Sequence, residues 1–196
     1  MDEEEVIRRA QGDPRSFEPL FEKYYPPIKR YVLRRVLDYD VAEDITSETF
    51  FKALLNLSLF RWRGISFSSW LYRIATNEVN QYFRRKSYAP ERISDALSFN
   101  ERFRLPAVFP DEERESWEQE LRHHEEYLTI QKITAKMPVK YQEVITLRYF
   151  ERKSIREIAE ILGIKEGTVK SLHARGLERI KKAFEGLQPK LPRSIL

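Results

Sequence analysis

The chain has 196 residues, 35 basic against 31 acidic, a formal charge of +4, 41% hydrophobic residues and no cysteine. That length suffices for one or two domains with a real core, and the missing cysteines exclude disulfides, thiolate zinc sites and a cysteine nucleophile. The acidic start MDEEE lacks the basic and apolar regions of a secretory signal and no apolar run approaches membrane-spanning length, so a cytoplasmic location without membrane insertion is expected.

Charge is unevenly placed. Residues 1–90 carry 15 basic and 13 acidic groups (+2), residues 91–128 carry 5 and 11 (−6), and residues 129–196 carry 15 and 7 (+8). Two small domains joined by an acidic segment fit this distribution best, with the excess base at the C-terminal end pointing to a polyanionic partner. The acidic residues outside the middle are mostly dispersed singly, with no constellation for metal or acid–base chemistry. A glycine loop to cradle phosphates is also missing, so no cofactor and no enzymatic activity are expected.

Taken in order, the first ninety residues predict four helices. Glu3 to Gln11 forms the first and ends at Gly12; Asp13 and Pro14 signal the start of a second carrying Phe17, Leu20, Phe21 and Tyr24. Pro26 and Pro27 should bend or interrupt it before Ile28, Tyr31, Val32, Arg35 and Val36 resume the stripe. Asp40 and Glu43 read as a capping box for a long helix reaching about Leu57. Ile45, Thr49, Phe50, Ala53 and Leu54 fall inward on it, leaving Glu43, Asp44, Ser47, Glu48 and Lys52 outside as a face for a protein partner.

Phe60 to Ser87 combines a glycine-containing loop with a helix that is aromatic and apolar on one side and ends in Arg84, Arg85 and Lys86. Aromatics interleaved with base suit single-stranded nucleic acid, because bases stack on aromatic faces while cations track phosphates. Trp70, Leu71, Ile74 and Val79 recur at helical spacing and read as core. Trp62 and Phe67 are open to both base contact and packing.

The stretch from Ser87 to Tyr127 starts with turn signals and becomes acidic: a linker followed by a helix entrance near Asp111, with Trp117, Leu121, Tyr127 and Leu128 as buried positions. Its run DEERESWEQE reads as a solvated helix face, and His123 and His124 as solvated linker, since no carboxylate–histidine spacing makes a metal cage there.

SIREIAEILGIKEGTVKSL, Ser154 to Leu172, has the spacing of a helix-turn-helix. Ser154 and Glu157 form a capping box, and Ile155, Ile158, Ala159 and Leu162 give the first helix one buried face. Gly163 supplies the positive φ of the turn, Ala159 lets backbones cross closely, and Val169 returns an apolar contact. The second helix exposes Lys165, Glu166, Thr168, Lys170, Ser171 and Arg175 near its N-terminal half, where recognition helices meet base edges and phosphates. The tail LQPKLPRSIL, with two prolines, reads as a flexible end.

Together the two ends resemble the extracytoplasmic-function group of bacterial sigma factors. FEPLFEKYYPPIKRYVLRRV resembles the opening helices of their first domain, DYDVAEDITSETFFKALLNL the helix that binds core polymerase, and FSSWLYRIATNEVNQYFRRKS the minus-10 reader. MPVKYQEVITLRYFERKSIREIAEILGIKEGTVKSL resembles the domain that reads the minus-35 element. The resemblance implies an all-α chain of two small helical domains: residues 1–88 as sigma domain 2, a flexible acidic linker at 89–124, residues 125–188 as sigma domain 4 with the helix-turn-helix, and a tail at 189–196.

It further implies a transcription initiation factor that binds core RNA polymerase, recognises bipartite promoters and nucleates melting. Its partners would be the β′ clamp helices and β flap of polymerase, promoter DNA (double-stranded at minus-35, single-stranded at minus-10), and an anti-sigma protein of the kind that commonly sequesters this group. By resemblance, Glu43, Asp44, Ser47 and Glu48 contact polymerase. The minus-10 strand falls to Arg61, Arg63, Ser66, Phe67, Ser68, Arg73, Asn77, Asn80, Arg84, Arg85 and Lys86. The minus-35 duplex falls to Arg152, Lys165, Glu166, Thr168, Lys170, Ser171, His173 and Arg175. Two positions depart from the family pattern. Gln81 stands where many relatives are acidic, and Leu172 takes the place of an arginine, which moves His173 to a usually apolar position. The alternative, a stand-alone helix-turn-helix regulator, would leave the DYDVAEDITSETFF helix and the RWRGISFSSW loop without a purpose.

Overall fold

The computed structural model describes residues 2–62, 65–88, 130–131 and 133–186, and no strand occurs among them. Arg63, the acidic segment with Trp117, Leu121, His123, His124, Tyr127 and Leu128, and the proline-containing tail lie outside the described residues.

Helix α1 (Glu3–Gly12) has glutamates in its first turn and Arg9 in its last, matching the helix dipole, and buries Val6, Ile7 and Ala10. Asp13 does act as a cap, accepting from the Arg15 N–H at 3.0 Å, but over a 3₁₀ turn at Pro14–Phe17. Helix α2 then spans Glu18–Val36 without interruption at Pro26 and Pro27, against the expected break. Each interior proline costs about 3 kcal/mol. Leu20, Tyr24, Ile28, Tyr31 and Val32 are all buried along α2, at about 1.5–3 kcal/mol each, so packing on both sides of the prolines outweighs their local cost. The helix stops at Leu37, whose φ is 56°.

Helix α3 (Tyr39–Asn56) is capped by Asp38, which accepts from the Val41 N–H at 3.1 Å. The expected Asp40–Glu43 box is displaced, because Asp40 already lies inside the first turn. The inward set is as expected: Ile45, Thr49, Phe50 and Ala53 are buried. A 3₁₀ turn (Leu57–Leu59) follows, pinned by the Gln11 amide, which donates to the Leu57 and Phe60 carbonyls at 3.0 Å each. Helix α4 (Phe67–Tyr88) closes this region, with Phe67, Leu71, Ala75 and Val79 at the fully buried i, i+4 positions.

Beyond the undescribed segment, helical residues 130–131 and 133–135 lead to α5 (Val139–Ile145), a π-helical turn at Thr146–Phe150, α6 (Ile155–Leu162) and α7 (Glu166–Glu185). The Ser154–Glu157 capping box forms in both directions, and Gly163 takes φ 67° at the end of α6. Gly176 is the crossing point of α7 over α5: a Cβ there would sit 3.0 Å from Ile145 Cγ1. Buried apolar side chains of the two helical regions belong to one cluster, with α4 laid against α6.

Candidate nucleic-acid interface

The helix-turn-helix presents its second helix to solvent. Lys165 precedes α7 as its N-cap, and Glu166, Thr168, Lys170, Ser171 and Arg175 are exposed, while Val169 is fully buried beneath them. Ser171 spends its hydroxyl hydrogen on the Gly167 carbonyl at 3.1 Å, leaving its oxygen as an acceptor. Arg152 is exposed in the preceding loop with φ 54°. Its backbone bend is held by the Lys153 N–H to the Leu147 carbonyl (2.9 Å) and by Arg148 on the Lys153 carbonyl (3.0 Å).

His173 is half-buried, its ring stacked 18° from that of Tyr149, with the Tyr149 hydroxyl 3.0 Å from Nε2. Burial and the nearby Arg148 charge hold its pKa below the usual imidazole value. On the opposite flank of α7, Arg179 lies over the Tyr141 ring at 4.9 Å. Burial raises the Tyr141 hydroxyl, but the Lys140 charge, the hydrogen bond and charge of Arg179, and a hydrogen bond from Arg175 outweigh it and leave the pKa lowered.

The first region's candidates divide into three groups. Asn77, Arg84 and Arg85 are exposed on α4, and Lys86 lies in its last turns. A second group has structural duties. Ser66 accepts from the Ser69 N–H at 3.0 Å and so caps α4, and Arg61 holds the Ser58 and Phe60 carbonyls at 2.5 and 2.8 Å. Phe67 is a correction: it is fully buried against the rings of Tyr24, Phe60 and Trp70, where no base can reach it. Trp62, edge-on to Phe60, remains 45% exposed and is the loop's open aromatic.

The third group, Ser68, Arg73 and Asn80, faces the second helical region. Arg73 donates through Nε and Nη2 to the Glu160 carbonyl, Asn80 Nδ2 to Glu143 Oε1 at 2.7 Å, and Lys153 Nζ to Ser68 Oγ at 2.8 Å. At the centre of this seam Arg34 Nη1 donates to Glu151 Oε1 at 2.8 Å, both side chains being 5% exposed or less. The Tyr72 hydroxyl donates to the other oxygen, Oε2, at 2.6 Å. Burial first and the Glu151 charge second push the Tyr72 pKa up, so its proton stays in that bond. Arg35 is buried beside them, donating to Gln142 Oε1 at 2.9 Å and to the Tyr31 hydroxyl at 3.0 Å.

On α3, Glu43, Asp44, Ser47 and Glu48 are exposed as expected, with Lys52 tied between Glu48 (3.2 Å) and Glu78 (2.7 Å). The same face continues into apolar residues: Phe51, Leu55 and Leu59 are 57%, 62% and 72% exposed. These three were missed because ETFFKALLNLSLF is apolar on both sides, and inward and outward residues cannot be told apart by hydropathy alone. Spacing was the available signal, since 44, 47, 48, 51 and 55 fall on one stripe of α3, which Leu59 in the 3₁₀ turn extends. Among the described residues no helix is long and apolar enough to cross a membrane, and no group of three metal-ligating side chains occurs.

Residues 20–88 match the Sigma-70 region 2 family and residues 127–180 the Sigma-70 region 4 family. The chain is 34% identical to the ECF RNA polymerase sigma factor SigW of Bacillus subtilis, across 90% of this chain and 93% of SigW. It is 32% identical to the RNA polymerase sigma-H factor of Pseudomonas aeruginosa, over 95% of both chains. With the ECF RNA polymerase sigma factor BldN of Streptomyces coelicolor it shares 31% identity and spans 63% of that protein's length. In fold it is similar to the sigma factor RpoE solved with the anti-sigma factor NepR from Bartonella quintana (TM-score 0.65, 19% identity, 86% of this chain and 96% of RpoE). It is equally similar to CnrH solved with the cytosolic domain of CnrY (TM-score 0.65, 18% identity, 92% of this chain and 96% of CnrH).

Proposed function

The chain belongs to the extracytoplasmic-function sigma factors of RNA polymerase, and from that membership we propose how its surfaces divide the work of starting transcription. The α3 stripe from Glu43 through Phe51 and Leu55 to Leu59 docks on the β′ clamp helices of core polymerase. Helix α7, with Arg152 from the loop before α6, enters the minus-35 major groove, and the second region also meets the β flap. The loop before α4 and the cationic end of α4 take the minus-10 strand, with Trp62 replacing Phe67 as the aromatic offered to a base. Residues 1–88 and 125–188 are the two functional domains.

The observation that carries this reading is the coexistence, in one chain and in this order, of region 2 and region 4 matches with a capped helix-turn-helix whose recognition helix is exposed. A stand-alone regulator has no use for the first of these. Melting needs no chemistry from the protein: flipping and holding a base costs a few kcal/mol, which binding of the separated strand offsets. The protein therefore acts by binding rather than by catalysis, in the cytoplasm where its polymerase works. An anti-sigma protein is a further proposed partner, in keeping with the fold shared with RpoE.

The direct test is transcription by purified bacterial core polymerase, with and without this chain, from a pooled library of upstream regions of the source genome. Start sites that appear only with the chain establish the reading and give the promoter. A chain that neither binds core nor directs a start site overturns it in favour of the stand-alone regulator.

A further inference from the structure

Ser171, Arg175 and Arg179 run along one side of α7 at i, i+4 and i+8, and all three are exposed. At about 1.5 Å per residue the row covers about 12 Å of helix axis, more than the major groove's depth of about 8.5 Å. A helix that puts Ser171 among the base edges by its N-terminal half therefore carries Arg179 back out to the level of the phosphates. There it meets α5. Tyr141 is buried, and its ring centroid lies 4.9 Å from the Arg179 guanidinium carbon and 5.2 Å from Lys140 Nζ. Its hydroxyl is hydrogen-bonded by Arg179 and Arg175. Three cations thus converge on one phenol. Among the described residues none of the three makes a salt bridge, and Glu178, the carboxylate beside Arg179 in sequence, is taken by Lys182 at 2.8 Å. Like charges gathered in this way repel one another and are satisfied by an anion. The phenol registers the excess: burial raises its pKa, yet Lys140, Arg179 and Arg175 together leave it lowered.

We propose that Lys140, Tyr141 and Arg179 form a site for one backbone phosphate of the minus-35 duplex, at the point where α7 leaves the groove. The proposal rests on the reading of α7 as the minus-35 helix. Lys140 and Arg179 supply the charge, and both reach solvent. Tyr141 is a positioning residue: its ring lies against the Arg179 guanidinium and its hydroxyl bonds Arg179 and Arg175, so both forks are ordered before DNA arrives. A guanidinium fork matches two oxygens of a phosphate, and a side chain already ordered gives up less freedom on binding. Neither Lys140 nor Tyr141 belongs to the helix-turn-helix; α5 brings them to it. A DNA phosphate fits this site better than an acidic peptide because the cations continue the base-facing row of α7 without a break.

Lys140→Gln with Arg179→Gln tests the site, and since both positions are exposed the pair leaves the core untouched. Fluorescence anisotropy of the full chain is followed across a salt series on two duplexes, one carrying the minus-35 element mapped by the transcription assay and one of scrambled sequence. A phosphate contact is blind to sequence, so both duplexes should lose affinity by the same factor. The loss should be roughly 3–10-fold at about 0.1 M salt, and the slope of log K against log salt should become shallower by about 0.9, the value of one duplex phosphate. Tyr141→Phe keeps the ring and removes the hydroxyl. It should weaken both duplexes about 2–5-fold with the slope kept, and add no loss once Arg175 and Arg179 are both glutamine, whereas a merely structural role would cost the same in either background.

Unchanged affinity and slope in the Lys140–Arg179 pair overturn the site. A gain in DNA affinity overturns it as well, and assigns the cluster to an acidic protein segment. A loss confined to the minus-35 duplex places Arg179 at a base edge and overturns the phosphate assignment. Lys170→Ala separates these failures from a failure of α7 as the reader. It should reduce the preference for the minus-35 duplex over the scrambled one. A preference unmoved by Lys170→Ala, together with unchanged slopes, means that α7 does not enter the groove.

Discussion

Replacing Leu55 or Leu59 with serine should weaken binding to core polymerase while leaving the free protein intact. Leu55 lies on α3 and Leu59 in the 3₁₀ turn that continues its face; they are 62% and 72% exposed, with Phe51 one turn before Leu55 at 57%. Full burial of such a side chain contributes about 1.5–3 kcal/mol, so covering the part still wet gives about 1–2 kcal/mol each, or about 5–30-fold in Kd. The free chain loses little by the change, because substitutions at exposed positions usually stay within about 0.5 kcal/mol. The assay is competition between labelled parent and unlabelled variant for core polymerase, with a urea melt of each variant in parallel. Glu43→Gln, at the polar end of the same stripe, gives the electrostatic comparison: its effect should shrink with added salt, whereas the serine effects should persist. Serine variants that compete as well as the parent would refute the docking assignment. A drop in stability as large as the drop in affinity would refute the placement of these residues outside the core.

At Gly176 two effects oppose each other. Alanine gains about 1 kcal/mol of helix propensity, but its Cβ would meet Ile145 Cγ1 and Cδ1 at 3.0 and 3.1 Å, an overpacking cost of about 1–3 kcal/mol. Gly176→Ala should therefore lower Tm by a few degrees and weaken minus-35 duplex binding as α7 shifts; a rise in Tm would show that Ile145 yields freely. Ser154→Ala should cost about 1 kcal/mol in chemical denaturation by removing one half of the capping box. The Glu157 carboxyl is pushed up by burial but drawn further down by the Ser154 N–H and hydroxyl and by Lys153, so its folded pKa is lowered. Its contribution is present above the ordinary glutamate pKa and lost as pH falls through the folded value, and Glu157→Gln should flatten that part of the stability–pH curve. Tyr149→Phe keeps the ring stack and loses the 3.0 Å bond to His173, so minus-35 affinity should fall about 2–10-fold, with no further loss in a His173→Ala background. His173, with its pKa lowered, favours the fold above the ordinary imidazole pKa and charges beside Arg148 at lower pH, so melts should show that loss in the parent and not in His173→Ala.

The parts legible in the sequence are those fixed by local chemistry. Ser154, Glu157 and Gly163 determine the start and stop of α6 through their own hydrogen bonds and backbone preference, and the helix-turn-helix followed from them. Local rules failed where tertiary packing competed. Two prolines inside α2 are a strong break signal, yet the apolar residues on either side hold the helix through them. Phe67 illustrates a different limit: an aromatic at the first position of a helix beside a basic loop fits a base stack and a core equally well, and only the rings of Tyr24, Phe60 and Trp70 around it decide. The seam was not legible at all. Arg34 and Glu151 are 117 residues apart, and each alone reads as an ordinary surface charge. No periodicity links them.

Arg84 and Arg85 are exposed on α4, whereas Arg73 and Asn80 are held by the Glu160 carbonyl and Glu143. Phosphate contacts carry no sequence information, and base-edge contacts carry little of the charge-dependent affinity. Charge removal at Arg84 and Arg85 should therefore reduce the salt slope of single-strand binding by about 1.4 for two phosphate contacts, at about 0.7 each, while leaving the ratio of affinities for minus-10 and scrambled oligonucleotides near its starting value. A fall in that ratio with an unchanged salt slope would refute the assignment of these two cations to phosphates and place them at base edges instead.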